Sequence, residues 1–124
     1  MKNIIATDAA PGAIGPYSQA VEVNGFVYTS GQLPIDPKNG EIPADIQAQT
    51  RQSLENVKAI LASRGVGMEK VFKTVVFLSD MGNFGKMNEI YGQYFTAEFP
   101  ARSCVEVARL PKGALVEIEA VAEV

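Results

Sequence analysis

The chain has 124 residues, 47% of them hydrophobic and 20% charged, which suits one compact domain, residues 1–124, with a buried core. Eleven Lys and Arg against fourteen Asp and Glu leave a net charge of −3, and no basic run tracks a phosphate backbone, so nucleic acid is a disfavoured partner. The absence of histidine excludes Ser-His-Asp and Cys-His catalysis, His-ligated zinc and His proton shuttles, and leaves acid–base work to Glu, Asp, Tyr, Lys or Cys.

From Met1 to Asp8 the apolar stretch is too short for a signal peptide, and no later run approaches the roughly 20 apolar residues that span a bilayer. The lone Cys104 rules out an internal disulfide framework, so a reducing, cytoplasmic setting without membrane insertion is expected.

Gln19 to Val23 and Phe26 to Ser30 are short β-rich runs joined by Asn24-Gly25, the pair a type I′ turn favours because both central residues need positive φ. That register sets Gln19 opposite Ser30 and brings Tyr17-Ser18 and Gly31-Gln32 out together at one end of the sheet, a candidate site rim. Leu33 to Ala44 is dense in turn residues and reads as an irregular connection. Asp45 then caps a helix to about Arg64, with Ile46, Thr50, Leu54, Val57 and Leu61 on one stripe and Gly65 as its stop.

Lys70 to Ser79 is apolar on both alternating faces, as a covered central strand should be. Phe84, Met87, Ile90 or Tyr91, and Tyr94 or Phe95 recur at helical spacing and predict a second helix from about Asn83 to Ala97, its aromatics assigned to the core. Ser103 to Arg109 and Ala114 to Ala122 flank the turn Leu110-Pro111-Lys112-Gly113 and complete the order ββαβαββ, an α+β two-layer sandwich. In the last strand Val116, Ile118, Ala120 and Ala122 suit the helix layer, which leaves Leu115, Glu117, Glu119 and Val121 on the other face. There Val75 and Phe77 are too hydrophobic for water, so a homo-oligomer that buries this face is expected.

The chemistry-bearing residues cluster late in the chain. Arg102 and Cys104 share one face of a strand, and Glu117 and Glu119 share one face of the next. A short hairpin could then bring cation, thiol and carboxylate together to receive a small carboxylate-bearing molecule. Arg102 offers a planar fork for a carboxylate, or an ordinary ion pair with one of fourteen acidic residues. Glu117 and Glu119 could position or deprotonate water, or simply face solvent; Cys104 reads as a small buried hydrophobe rather than a nucleophile. Tyr17 and Ser30 could donate hydrogen bonds to a ligand. Lys73 could be a Schiff-base amine if desolvated, or could snorkel to the sheet edge. No P-loop is present, and Gly65-Val66-Gly67 lacks the rest of a dinucleotide fingerprint.

Several segments together carry a more specific signal: Ala13-Ile14-Gly15-Pro16-Tyr17-Ser18-Gln19-Ala20, Thr29-Ser30-Gly31-Gln32, Asn88-Glu89-Ile90-Tyr91, the block from Pro100 to Lys112, and Val116-Glu117-Ile118-Glu119-Ala120. Through them, essentially the whole chain resembles the RidA (YjgF-type) reactive-intermediate deaminases. The resemblance implies a chorismate-mutase-like fold, a homotrimer with ligand sites in clefts between subunits, and cofactor-free, metal-free hydrolysis of 2-enamine and 2-imine acids, such as 2-aminoacrylate and 2-iminobutyrate, to 2-keto acids and ammonia. By the same resemblance, Arg102 grips the substrate carboxylate and Glu117 positions the attacking water, while Tyr17, Ser30, Gly31 and the backbone around Cys104 line the pocket. The rival readings are a non-catalytic regulatory protein that binds 2-keto acids, an RNA-directed role that the acidic balance disfavours, and a protein-binding accessory.

Overall fold

A computed structural model describes residues 1–124. Its six-stranded sheet has the order β1-β2-β3-β6-β4-β5, where β1 is Asn3–Ile5, β2 Ala20–Val23, β3 Phe26–Thr29, β4 Val71–Leu78, β5 Ala101–Glu106 and β6 Val116–Glu123. Helices α1 (Ile46–Ser63) and α2 (Phe84–Tyr94) pack against each other, and α1 crosses β6. The expected order thus gains a strand at its start. In β1 only Ile5 is buried, and three residues carry no readable alternation.

Local chemistry explains most of the elements. Asn24 and Gly25 have φ of 51° and 83°, the two left-handed residues of a type I′ turn, and Ser30 N donates to Gln19 O at 2.8 Å as the predicted register requires. Asp45 caps α1 by accepting from Ala48 N at 2.8 Å. At the other end Gly65, at φ 77°, donates to Ala62 O while Val66 donates to Leu61 O, a Schellman stop that needs the left-handed residue. Helix α2 ends at Tyr94, three residues before the predicted Ala97, because Phe95 is already extended at its C-cap.

The connection from Leu33 to Ala44 has no regular structure of its own, and buried side chains of α1 hold it. Asn56 Nδ2 donates to Leu33 O at 3.0 Å and to Ile35 O at 2.9 Å. Gln49 Nε2 donates to Pro43 O, while its Oε1 accepts from Leu115 N. Buried amides here satisfy backbone groups that no ladder reaches.

Val116, Ile118, Ala120 and Ala122 of β6 are buried beneath the helices together with Val71, Thr74, Val76 and Leu78 of β4, as the alternation predicts. The pairing shifts between Val71 and Lys73, so Phe72 is the extra residue of a bulge that lets Val71 and Thr74 both point inward. No helix covers the opposite face. Tyr28 and Phe72 remain 43% and 45% exposed there or at its margin, with Val75, Phe77, Leu115 and Val121 half-buried.

One expectation is overturned by the strand order. The segments flanking Pro111 do not form a hairpin with each other, because β4 lies between β5 and β6 and pairs parallel with the first and antiparallel with the second. Helix α2 supplies the long crossover that parallel pairing of β4 and β5 requires.

Candidate functional site

The faces of the central strands decide what can meet. On β4, Thr74 registers with Arg102 of β5 and with Ala120 of β6, so Arg102 lies on the face the helices cover. Phe77 registers with Glu117 and Val75 with Glu119, so both carboxylates lie on the open face. Within one chain Arg102 and Glu117 therefore stand on opposite sides of the sheet. The cation and carboxylate that a hairpin was expected to unite are kept apart.

Arg102 is half-buried on the edge strand. Its guanidinium carbon lies 4.7 Å from the centre of the Tyr91 ring and 5.5 Å from that of Phe84, and Nη1 donates to Asn88 Oδ1 at 2.7 Å. Neither ion pair of the chain includes it, since these join Arg64 to Glu22 and Lys70 to Glu123. The expected alternative of an intramolecular ion pair does not occur. Cys104, two residues on, shares this face and packs against the core, where burial pushes its thiol up in pKa and the neighbouring guanidinium only partly offsets the effect. A thiol so placed is a poor nucleophile at neutral pH.

Of the other predicted residues, Gly31 lies against Glu117. A Cβ added at Gly31 would fall 2.6 Å from Glu117 Oε1 and 2.8 Å from its carboxyl carbon, so the absent side chain of Gly31 is the space the carboxylate occupies. Gln32, next along, bridges to Ile118 of β6 through paired backbone hydrogen bonds, which fixes this approach. Ser30 Oγ donates to Ser18 O at 2.6 Å and joins the two segments predicted to emerge together. Tyr17, half-exposed, and Gly31 line a cleft of about 260 Å³ with Ile14, Leu33 and Lys112 on its walls.

Glu117 has its carboxyl pKa raised, first by burial and then by repulsion from Glu119 on the same face. A carboxylate held less acidic than usual is a better proton acceptor. Lys73, also on the open face, reaches Ser103 Oγ on the edge strand at 3.4 Å, in keeping with a snorkelling stem.

Two half-sites result, a cationic one of Arg102 and Cys104 and an acidic one of Glu117 and Gly31, the latter beside the cleft that Tyr17 also lines. Residue spacing does not reveal Asn88 and Tyr91 as partners of Arg102. Their separation of three on one helix face is the available signal, but within a stripe of apolar residues it reads as core.

Residues 7–124 match the sequence model of a family described as Endoribonuclease L-PSP. The chain is 54% identical to the 2-iminobutanoate/2-iminopropanoate deaminase of Escherichia coli K12, with 98% of each chain covered. Its structure is similar to that of E. coli TdcF with bound serine, at a TM-score of 0.95 and 52% identity over 98% of both chains. It is equally similar to YyfA from Yersinia pestis, of the conserved Rid protein family, at a TM-score of 0.97 and 51% identity over 100% of both.

Proposed function

The chain belongs to the RidA (YjgF-type) family, whose sequence model is described as Endoribonuclease L-PSP, and from that premise we propose that it hydrolyses 2-imino acids, and the 2-enamines that tautomerise to them, to 2-keto acids and ammonia. The observation that carries this reading is a guanidinium with no acidic partner of its own, Arg102, whose remaining N–H groups are free to take a carboxylate. The E. coli relative named for this deamination supports it at 54% identity over 98% of the chain.

The chemistry asks little of the protein. A protonated imine carbon is already electrophilic, so the site must hold the acid group, place water over that carbon and move protons. Arg102 anchors the carboxylate. Glu117 takes a proton as the water oxygen bonds to the imine carbon and forms a carbinolamine. The proton then passes, directly or through water, to nitrogen; the C–N bond breaks, ammonia leaves, and loss of the hydroxyl proton gives the keto group. Neither a metal nor a covalent nucleophile is needed, and Cys104 serves by its backbone and shape. Tyr17, Ser30 and Gly31 form the opposite wall.

Because Arg102 and Glu117 occupy opposite faces of the sheet, a complete site requires the cationic half of one copy and the acidic half of a second. Such contacts are head-to-tail, and head-to-tail contacts that close generate rings. A homotrimer of the chorismate-mutase-like kind, with the apolar open faces turned inward and sites between subunits, satisfies both requirements. Residues 1–124 act in it as one domain. The family's description names an endoribonuclease, but a net charge of −3 and the lack of histidine do not favour RNA, and the local charge of Arg102 suits a small anionic substrate instead. No helix is long and apolar enough to cross a membrane, and a cytoplasmic hydrolase is the setting this reading implies.

The test is release of 2-keto acid and ammonia from freshly generated 2-iminobutyrate by wild type, Arg102→Ala and buffer. Acceleration that disappears in a folded Arg102→Ala variant is the expected result. No acceleration by folded wild type would overturn the proposal in favour of a non-catalytic 2-keto acid-binding regulatory protein.

A further inference from the structure

Helix α2 holds Arg102 entirely through uncharged contacts. Asn88 Oδ1 accepts from Nη1 at 2.7 Å, and the rings of Tyr91 and Phe84 lie 4.7 and 5.5 Å from the guanidinium carbon. The Tyr91 hydroxyl is in turn fixed to Thr74 Oγ1 at 2.7 Å, and Thr74 is the register partner of Arg102 on β4. The result is a closed ring of contacts, from strand to guanidinium to helix and back to the neighbouring strand. The acid nearest in sequence to Asn88, Glu89, is turned away, where its Oε2 accepts from Gln47 Nε2 of α1 at 2.6 Å.

We infer that Asn88 and Tyr91 are positioning residues for Arg102, and that the neutrality of position 88 is what keeps the arginine's charge available to an incoming carboxylate. The inference rests on the reading above, in which Arg102 receives the substrate's acid group. A single acceptor at Nη1 orients the fork and leaves its other donors free. A carboxylate in the same place would form a charge-assisted pair in a half-buried setting and compete with the ligand for the same cation. Asparagine and aspartate have nearly the same shape, so position 88 separates orientation from charge.

The test compares Asn88→Asp, Asn88→Ala, Tyr91→Phe and Arg102→Ala with wild type, each first checked for native circular dichroism. The readouts are the Kd for 2-oxobutyrate at pH 7.5, and KM and kcat with 2-iminobutyrate. Asn88→Asp is expected to weaken 2-oxobutyrate binding at pH 7.5 by roughly 10–100-fold, the worth of a charge-assisted hydrogen bond, and to weaken it more than Asn88→Ala does. The Asn88→Asp variant should raise KM and leave kcat at saturating substrate within about twofold, because the competing pair affects only capture of the acid group, a split that a merely structural defect would not show. Tyr91→Phe, which frees the ring from Thr74 but keeps it over the guanidinium, should raise KM by a smaller factor. Wild-type affinity in Asn88→Asp, a loss in Asn88→Ala that equals or exceeds it, or a fall in kcat that matches the rise in KM would overturn the inference and leave the deaminase reading standing. Unchanged binding and turnover in Arg102→Ala would overturn both.

Discussion

Gly31 and Glu117 are in contact through an absence: the carboxylate sits where the glycine's side chain would be, 2.6 Å from the position of a Cβ. The close approach explains why this end of β3 runs on as Ser30-Gly31-Gln32, with a residue that has nothing to place between the backbone and the acid.

Gly31→Ala is therefore expected to push Glu117 away from its position without unfolding the chain. A displacement of about 1 Å at a catalytic group costs on the order of 10²-fold in rate. Turnover of 2-iminobutyrate, measured beside the far-ultraviolet circular dichroism of the variant, checks this; near-normal turnover would remove Glu117 from the chemistry.

The placement of Arg102 and Glu117 on opposite faces gives a complementation experiment. Arg102→Ala and Glu117→Gln should each be inactive alone. Unfolded together and refolded, they should regain activity, because any mixed ring has a junction at which an intact arginine half faces an intact glutamate half. For an equimolar mixture in a head-to-tail trimer the recovery is about a quarter of the wild-type rate. No recovery in mixed assemblies would place both residues of a site on one chain.

The raised pKa of Glu117 has a sign that can be followed. Folding brings the carboxyl from its ordinary value to a higher one, so between the two the native state binds more protons than the unfolded state, and stability falls as pH rises through that window. Glu117→Gln should accordingly raise Tm at neutral pH, with the gain vanishing below the ordinary carboxylate pKa. Glu119→Gln removes the repulsive part of the shift and should move the acid limb of the pH–rate profile to lower pH. A limb that stays in place would assign it to another group.

Asn56 tests the walls of the cleft. Its amide serves the carbonyls of Leu33 and Ile35, and Leu33 and Ile35 both line the cleft beside Gly31. Asn56→Ala leaves these acceptors without their donor and should cost about 1–3 kcal/mol of stability by denaturant unfolding. A KM for 2-iminobutyrate that rises with it would assign this cleft to the substrate, and an unchanged KM would separate the cleft from the reaction.

Much of this was legible in the chain. Asn24-Gly25 announced its turn because few other pairs tolerate two left-handed residues, and the Val116 to Ala122 alternation announced which side of β6 faces the helices. Arg102 was harder. Alternation says that Arg102 and Cys104 share a face, but not which face, nor which strand lies alongside. Those were fixed by α2 crossing over to make β5 parallel to β4, a contact between segments far apart in sequence. The Arg102 cradle was hidden for a related reason: Tyr91 does belong to the core, and also supplies a ring to the site.

On the proposed reading, the back-to-back arrangement of Arg102 and Glu117 also ties catalysis to mass action. A copy separated from its neighbours can keep every strand pairing and still hold the two ends of the chemistry out of each other's reach, so dilution below the assembly threshold should silence turnover with no sign of unfolding. Specific activity then reports how many copies are assembled. A substitution on the open face of the sheet, far from any substrate atom, can abolish the reaction simply by keeping the copies apart.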